Sequence, residues 1–503
     1  MRQAVFDHIQ KLSYTELDTL GTDTLITRLT DDVNQVQNGV NMGLRLLLRS
    51  PFIVLGSMVM AFTINVRCAL IFAVAIPVLF LVVFVIMFFK YPAFSKKVQG
   101  RLDSVTRLTR ENLTGVRVIR AFCREADAVA EFDESNLALT RLNEFVGKIS
   151  ALLNPATYVL INIATVILIR TAGVQVNLGN MQQGEIVALY NYMAQMIVEL
   201  IKLASLIITL NKSMACADRV AGILKVDSTM TYPDKASLPT VESSDYAVAF
   251  DHVSFSYAGT GAPSLSDITF FRQKKALRSE SSGGTGSGKS TLVDLIARFY
   301  DATSGVITLD GQNVQTYSRQ ELREKIGVVP QKAALFQGTI RDNLSWGRED
   351  ATDEEMWEAL TTAQAREIVE KKDGQLDFRL EQNGRNLSGG QRQRLTIARA
   401  LVKKPEILIL DDSASALDFA TDAALRKSLH QLGGKTTTFL VSQRAASIRQ
   451  ADLILVLDDG QLSGKGTHQE LISTCKTYRE IFFSQFPEER TKYEKATGKE
   501  VLA

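Results

Sequence analysis

The chain has 503 residues, enough for two or three domains, and its formal net charge of +2 gives no case for nucleic-acid binding. Its four cysteines lie far apart and lack metal-ligand spacing, so the sequence predicts free thiols rather than a disulfide framework or a cysteine metal site. Apolar segments are concentrated in the first half of the chain.

Four apolar segments in the first half predict membrane-spanning helices. The third has 21 residues without a charge, which gives about 31 Å of helix, close to the thickness of the hydrocarbon core. The fourth contains Glu199 and Lys202, three residues apart on one helical face, which either mark a transport pathway or form a structural pair. Buried soluble helices are the alternative for the shortest segment alone. The predicted spans are residues 50–66, 68–89, 149–169 and 186–210.

Basic residues predict the orientation of these spans. Residues 90–148 are rich in Lys and Arg, whereas residues 171–184 carry no charge, so the first segment is predicted to be cytoplasmic and the second external. Four spans return the chain to the cytoplasmic side. The predicted domains are an all-α transmembrane domain at 1–226, a polar linker at 227–246, a second domain at 247–486 and a solvated or disordered charged tail at 487–503.

A glycine-rich segment near the start of the second domain has the pattern of a phosphate-binding loop. Its glycines let backbone N–H groups approach phosphates, Lys289 supplies a cation and Ser290 offers an oxygen to Mg²⁺. Residues 291–300 are predicted to form a helix whose N-terminus favours the phosphates. An ordinary turn is the alternative for such a loop in isolation. The candidate nucleotide-binding residues are Gly283, Gly284, Thr285, Gly286, Ser287, Gly288, Lys289, Ser290 and Thr291.

Two further motifs follow this loop. Residues 407–410 predict a buried strand that delivers Asp411 to Mg²⁺ at its carboxyl end. About a hundred residues after the loop stands Leu387-Ser-Gly-Gly-Gln391, which adds Ser388, Gly389, Gly390 and Gln391 as candidate nucleotide-binding residues. The order and spacing of the three motifs resemble the ATP-binding cassette (ABC) transporter family. The resemblance implies an α/β P-loop cassette domain that binds ATP and Mg²⁺ and follows a helical transmembrane domain.

The resemblance also implies roles for individual positions. Tyr257 stands where the family stacks an aromatic ring on adenine, although a Tyr packed in the sheet is the alternative. Gln331 matches the glutamine that reaches Mg²⁺ and the attacking water. Asp412 occupies the position of the general base, where the family has Glu, and Gln443 replaces the family's switch histidine. The expected metal ligands are therefore Ser290, Gln331 and Asp411, and the expected catalytic residues are Asp412, Gln443 and Gln331.

The two departures from the family pattern, Asp412 and Gln443, affect one nucleotide site only. Family cassettes pair head to tail, so each ATP lies between the phosphate loop of one chain and the Ser-Gly-Gly-Gln signature of the other. The resemblance implies a weak site built on Lys289, Asp411, Asp412 and Gln443, and an intact signature that completes the site of a partner. Residues 415–418 match the loop that crosses to the partner cassette. The pattern resembles the degenerate half of bacterial heterodimeric multidrug-type exporters, and a homodimer with two slow sites is the alternative.

The strand expected before the phosphate loop contradicts the rest of the pattern. Such a strand is buried in a parallel sheet and is normally apolar. Here the sequence is Leu277-Arg-Ser-Glu-Ser-Ser282, whose charges are costly to bury. We interpret this as a short out-of-frame stretch in the coding sequence or as a variant with impaired nucleotide binding.

The start of the chain resembles an exporter loop that normally follows two membrane spans. Residues 5–33 match the first intracellular loop of half-transporters, and residues 111–122 match the second loop, which contains a short coupling helix. The chain is therefore expected to have four of six spans, because of N-terminal truncation or a misassigned start.

The sequence as a whole predicts one subunit of an ATP-driven exporter in the bacterial plasma membrane, with its N-terminus and cassette in the cytoplasm. Its expected partners are a second half-transporter, the lipid bilayer and a transported drug, lipid or peptide, among which the motifs do not discriminate. The alternatives are a catalytically silent ATP-binding regulator and a non-functional product.

Overall fold

The structure is a computed structural model, and it divides into two compact units. The first comprises Met1–Phe6 and Asp23–Lys225, and the second comprises Asp7–Thr22 and Val226–Ala503. Asp7–Thr22 therefore packs with the cassette part of the chain, although the sequence analysis assigned it to the membrane domain. The structure describes residues 1–85, 91–233, 246–257, 261–273, 278–282, 286–431 and 436–497.

The described residues before the linker form helices joined by short turns. Two π-helical turns, Arg28–Asp32 and Gly43–Leu47, join successive helices, so that Thr22–Ile64 forms one continuous helical segment. The helices are α1 (Arg2–Ile9), α2 (Tyr14–Leu20), α3 (Thr22–Thr27), α4 (Val33–Met42), α5 (Leu48–Ile64), α6 (Val66–Val85), α7 (Tyr91–Thr114), α8 (Val116–Ala121), α9 (Glu125–Asn177) and α10 (Gln183–Leu224). The short helix α8 lies in the segment that resembles the second intracellular loop.

Three helical segments within the described residues are long and apolar enough to cross a membrane: Thr22–Ile64, Thr157–Asn177 and Gln183–Leu203. A fourth apolar segment, Val66–Leu81, is shorter. The predicted second span continues to residue 89, and its last residues lie outside the described part of the chain. The count of four spans therefore stays a prediction.

Small side chains let the helices of the first unit approach one another closely. Its apolar core includes Ala61, Ala69 and Ala164, a composition typical of helix packing in membranes. The backbones of α4 and α10 meet at Gly39, because a Cβ atom at this position would clash with the side chain of Ser213. The Ser213 hydroxyl also donates a hydrogen bond to the Gln35 carbonyl oxygen, 2.9 Å away.

The two charged residues of the fourth predicted span form an ion pair within α10, and a hydrogen bond from Ser50 joins Glu199 to α5. Glu199 is only 3% exposed and accepts hydrogen bonds from Lys202 Nζ at 2.8 Å and from Ser50 Oγ at 2.7 Å. The Lys202 side chain is 43% exposed. The carboxylate therefore depends on its partners, whereas the ammonium group keeps access to its surroundings.

Lys202→Ala should destabilise the first unit more than Glu199→Gln does. Alanine leaves the buried charge of Glu199 with one partner, the Ser50 hydroxyl, and we expect a loss of about 2–3 kcal/mol in the free energy of unfolding. This loss is smaller than usual for a broken buried ion pair because Lys202 is partly exposed. Glutamine removes the charge and keeps a hydrogen-bond acceptor, so we expect a loss of about 1 kcal/mol. The thermal midpoint in detergent measures both effects, with the exposed Lys212→Ala on the same helix as control. Equal midpoints for the two Lys variants would contradict the expectation.

Three sheets lie in the described part of the second unit, and their strand orders are β2-β1-β4-β5, β12-β11-β3-β10-β9-β6 and β7-β8. The strands are β1 (Tyr246–Phe255), β2 (Leu265–Gln273), β3 (Arg278–Ser282), β4 (Ser304–Leu309), β5 (Gln312–Asn313), β6 (Ile326–Val329), β7 (Gly338–Thr339), β8 (Arg379–Leu380), β9 (Ile407–Asp411), β10 (Thr437–Val441), β11 (Leu453–Asp458) and β12 (Gln461–Gly466).

Helices follow or flank these strands, as expected of an α/β domain. They are α11 (Lys289–Ile296), α12 (Arg319–Lys325), α13 (Ile340–Ser345), α14 (Asp353–Thr362), α15 (Arg366–Glu370), α16 (Gly389–Val402), α17 (Phe419–Gln431), α18 (Ala445–Ile448), α19 (His468–Thr474), α20 (Lys476–Gln485) and α21 (Pro487–Thr497). The strands β9 and β10 are almost entirely buried. Their carboxyl ends carry the chain into the candidate site.

The polar strand β3 lies at the centre of the six-stranded sheet. It is parallel to both neighbours, β10 and β11, and the register places Glu280 opposite Leu440 and Ile454. Both partners belong to buried apolar strands. The backbone of residues 278–282 therefore forms the strand expected before the phosphate loop, although the polar composition of this segment argues against burial.

The structure adds detail at the end of the chain and at the start of the linker. The tail, interpreted as solvated or disordered, forms α21 through Thr497, because the Tyr493 ring packs 5.4 Å from Phe483 and Glu489 pairs with Arg449 at 2.9 Å. The first linker residues also pack on the second unit, where Arg298 lies 4.4 Å over the Tyr232 ring. Residues 234–245 and 498–503 lie outside the described residues.

Candidate functional site

The described part of the phosphate loop begins at Gly286, since Gly283, Gly284 and Thr285 lie outside the described residues. Gly288 has a φ of +95° and precedes α11. A Cβ atom there would lie 2.6 Å from Leu265 Cδ2 and 2.8 Å from the Ser264 carbonyl oxygen, so only glycine fits. The loop is thereby held tightly against the start of β2.

The helix after the loop is earlier and shorter than the predicted 291–300. It begins at Lys289 and ends at Ile296. Arg298 ends the helical path because its φ of +49° is left-handed. The helix N-terminus therefore coincides with the lysine of the loop, which places its free N–H groups at the expected phosphate position.

Lys289 is the cation of this site. Its side chain is 7% exposed, and Nζ donates a hydrogen bond to Ser287 Oγ at 3.1 Å. Burial lowers the pKa of Lys289, while the negative charges of Asp412 and Asp411 act in the opposite direction. A desolvated ammonium group of this kind gains most from an incoming anion such as a phosphate.

Ser290 and Asp411 form the candidate Mg²⁺ position. Ser290 Oγ donates a hydrogen bond to Asp411 Oδ1 at 3.0 Å, so the end of β9 meets the first turn of α11. Burial raises the pKa of Asp411 and the charge of Asp412 adds to this, against the hydrogen bond from Ser290. A hydroxyl and a carboxylate oxygen fit Mg²⁺, which takes few protein ligands and completes its shell with phosphate and water oxygens. Among the described residues, no group of three or more His, Cys, Asp or Glu side chains could hold a metal ion.

Asp412 and Gln331 lie together beside this position. Gln331 Nε2 donates to Asp412 Oδ2 over a long distance of 3.4 Å. The backbone of Asp412 is left-handed, with a φ of +41°, and its N–H donates to the Val441 carbonyl oxygen at 3.0 Å. Burial raises the pKa of Asp412, opposed by Gln331 and by the charges of Lys289 and Arg444. Both residues thus stand next to the metal position, as a role in orienting water requires.

The side chain of Gln443, the last of the expected catalytic residues, is exposed. Its backbone carbonyl accepts a hydrogen bond from Gln485 Nε2 at 2.8 Å. The next residue, Arg444, was not predicted from the sequence; it donates to the Leu417 carbonyl oxygen at 3.1 Å and lies 4.9 Å over the Phe419 ring. Arg444 joins the Gln443 segment to residues 415–418, and its position beside the switch residue was the only available signal.

Tyr257 follows β1 and belongs to an aromatic cluster. Its ring meets Phe255 at 4.8 Å and Tyr300 at 5.2 Å, both edge-on, and its hydroxyl lies 3.0 Å from Thr291 Oγ1. These are the contacts of the packed-tyrosine alternative. Stacking on adenine stays a prediction.

The Ser388 signature forms the N-terminus of α16. Ser388 Oγ accepts from the Gln391 N–H at 3.3 Å, and Gln391 Oε1 accepts from the Ser388 N–H at 3.1 Å, which is a capping box. Ser388 and Gly389 are exposed, and a Cβ atom at Gly389 would meet no atom within 4 Å. The helix end therefore offers N–H groups and space to a ligand from outside the chain.

Comparisons with known proteins agree with this architecture. The family description "ABC transporter transmembrane region" matches residues 1–200, and the description "ABC transporter" matches residues 281–415. An uncharacterised ABC transporter ATP-binding protein of Mycobacterium bovis is 38% identical, over 96% of this chain and 83% of its own length. A Bacillus subtilis protein named "Probable multidrug resistance ABC transporter ATP-binding/permease protein" is 32% identical, over 96% of this chain and 82% of its own length. A solved bacterial Atm1-family ABC exporter with ATP bound superposes with a TM-score of 0.78 at 23% identity. The match covers 96% of this chain and 84% of that chain.

This chain belongs to the ABC transporter family. It combines one helical transmembrane region with one cassette domain, so it is an ATPase of a membrane-spanning transporter and has the organisation of a half-transporter. Proteins of this family act as dimers within a membrane.

Proposed function

We propose that this chain is one subunit of an ATP-driven exporter for a hydrophobic or amphipathic substrate, and that its partner is a second, different half-transporter. The observation that carries the proposal is the position of Asp412. This short carboxylate stands beside an assembled phosphate and metal site, where the family uses the longer Glu. The substrate class is supported by the apolar helices and by the multidrug name of the Bacillus subtilis relative.

The chain's own nucleotide site is proposed to bind ATP and to hydrolyse it slowly. Lys289 would bind the phosphates and Ser290 and Asp411 would hold Mg²⁺, which neutralises developing phosphate charge. Asp412 and Gln331 would orient the attacking water, but a carboxylate drawn back by about 1 Å loses rate, since such a displacement can cost about 10²-fold. Gln443 also supports slow hydrolysis, because its amide carries no charge with which to stabilise the phosphate.

The signature is proposed to serve the site of the partner. The exposed N-terminus of α16 supports this assignment, because its N–H groups are open to a ligand that another surface presents. ATP would close the two cassettes, and hydrolysis at the partner's site would reopen them. Binding at this chain's site would stabilise the closed pair as a population effect. We place the protein in a bacterial plasma membrane with its cassette in the cytoplasm.

Asp412→Glu should raise phosphate release by the purified full-length chain in nanodiscs by at least about tenfold, because the added methylene restores reach to the water. ATP affinity should stay unchanged. Asp373→Glu, at an exposed position, is the matched control for the substitution itself. An unchanged rate with normal ATP binding would show that Asp412 does not limit the site, and would favour a catalytically silent ATP-binding subunit.

A further inference from the structure

The loop of residues 412–418 follows β9 and begins with Asp412. Leu417 anchors the loop in the core, whereas Ser415 and Asp418 are exposed. Ser415 Oγ donates to the Asp412 carbonyl oxygen at 2.8 Å, and the Ser415 N–H donates to the same oxygen at 3.2 Å. The position of Ser415 is therefore passed directly to the backbone that carries the Asp412 carboxylate.

The backbone of Asp412 needs such support because it is strained. Its φ of +41° lies in the left-handed region, which is unfavourable for a residue with a side chain. A conformation of this kind persists only where the surrounding structure holds it. The Val441 carbonyl oxygen, at the end of β10, accepts from the Asp412 N–H at 3.0 Å. The other side of the peptide is held by Ser415, which lies in an exposed stretch of chain.

Arg444 binds this exposed stretch with its guanidinium group. Its Nη2 donates to the Ser415 carbonyl oxygen at 3.2 Å, and both Nη atoms donate to the Leu417 carbonyl oxygen at 3.1 Å. The same group lies 4.9 Å over the ring of Phe419, which is 71% exposed. One planar side chain thus holds two carbonyl oxygens and a ring, which suits the fork of an arginine and not the ammonium group of a lysine.

The segment that carries Arg444 is itself well anchored. The Arg444 N–H donates to Oγ of Ser442 at 3.1 Å, and Ser442 is buried directly after β10. On α18 the buried Ser447 donates to Asp422 Oδ2 of α17 at 3.2 Å. These contacts do not involve the guanidinium group. A substitution of Arg444 should therefore release the loop and leave the segment after β10 in place.

We propose that Arg444 is a positioning residue, which holds the loop of residues 412–418 so that the Asp412 carboxylate stays directed at the nucleotide site. The strained backbone of Asp412 is fixed by Val441 on one side and, through Ser415, by Arg444 on the other. Without the guanidinium group the loop opens, the backbone relaxes and the carboxylate moves away from Gln331. The consequence for hydrolysis rests on the proposed function, whereas the consequence for the loop does not.

Hydrogen exchange of the amides of residues 412–418 tests the proposal in the full-length chain in nanodiscs without nucleotide. Arg444→Gln should speed this exchange by about tenfold or more, because hydrogen bonds from a charged donor are lost. Arg444→Lys should lose most of the protection too, since it lacks the planar fork. Phe419→Leu removes the cation–π contact and should speed exchange by about 2–5-fold, whereas Phe419→Tyr keeps an aromatic face and should behave like the unmodified chain.

Arg449→Gln is the matched control for the loss of an arginine from the same segment. Arg449 follows α18, and its Nη1 pairs with Glu489 Oε1 at 2.9 Å rather than with the loop. This variant should keep the protection of residues 412–418. Unchanged exchange of the loop in Arg444→Gln would overturn the inference and leave the proposed function intact.

Phosphate release separates positioning from a purely structural role. In the unmodified chain and in Asp412→Glu, addition of Arg444→Gln should lower kcat by about tenfold or more, because a carboxylate displaced by about 1 Å can cost about 10²-fold. The Kd for AMP-PNP should change by less than about threefold, since the contacts of Arg444 lie on the loop of residues 412–418.

An unchanged kcat in a chain whose loop exchanges faster would overturn the positioning role of Arg444. An unmodified chain that does not bind AMP-PNP would overturn the proposed function. The exchange measurement would then still decide whether Arg444 holds the loop, because it requires no nucleotide.

Discussion

Gly389→Asp and Ser388→Ala should each abolish most of the ATPase activity of the assembled transporter, whereas Lys289→Ala should reduce it by less than about threefold. The first two substitutions act on the signature, which the proposal assigns to the partner's fast site. Loss of one preorganised donor to a transition state typically costs about 10²–10³-fold. Lys289 serves the slow site, so its loss removes little turnover.

The pair of signature variants separates catalysis from folding. Ser388→Ala also removes the N-cap of α16, which costs about 1 kcal/mol of stability, and Ser318→Ala at the equivalent capping box of α12 is its control. A Cβ atom at Gly389 meets no atom within 4 Å, and Gly389→Asp places a negative charge at a helix N-terminus, which favours the helix. A larger loss from Lys289→Ala than from Gly389→Asp would exclude the asymmetric dimer.

Replacement of Arg278 and Glu280 by Val should stabilise the cassette and strengthen its ATP binding. The two residues are two positions apart in β3, whose backbone is in register with the buried strands β10 and β11. Well-packed apolar residues in place of buried charges often gain about 1–4 kcal/mol. Because β3 leads directly to the phosphate loop, a firmer strand should also raise ATP affinity.

Thermal unfolding of the cassette and titration with AMP-PNP measure both effects of the β3 variant. Lys465→Val, at an exposed position of β12 in the same sheet, controls for the loss of a charge on a strand. Tight nucleotide binding by the unmodified chain, with no gain in the variant, would contradict the view that the polar strand damages the site. Resequencing the gene is a direct check of the segment itself.

Local patterns predicted which residues lie together at the candidate site, such as Ser290 and Asp411. The spacing that placed Ser290 near Asp411 depends on a strand end and a helix start, which sequence periodicity reveals. Residues 407–410 are an uninterrupted apolar run, and the structure has a strand that begins at the same residue and extends to Asp411. The contact of Gln331 with Asp412 follows the family position assigned to each residue.

Contacts between segments that are distant in sequence could not be predicted from local patterns. Asp18 and Tyr300 are 282 positions apart, and no periodicity relates them. The helix α21 was not predicted because charged residues dominate the tail, and its packed aromatic, Tyr493, has its partner Phe483 on another helix. The end of α11 was predicted too late because the left-handed backbone at Arg298 has no residue signature such as glycine.

Vanadate trapping with azido-ATP tests the central claim, because the label stays on the chain whose site hydrolyses ATP. The measurement uses the purified assembly of this chain with its partner half-transporter. We predict that this chain is labelled by azido-ATP in the cold without vanadate, and that trapped nucleotide after turnover is found predominantly on the partner. Trapped label that lies mainly on this chain, or equally on two copies of it, would contradict the account.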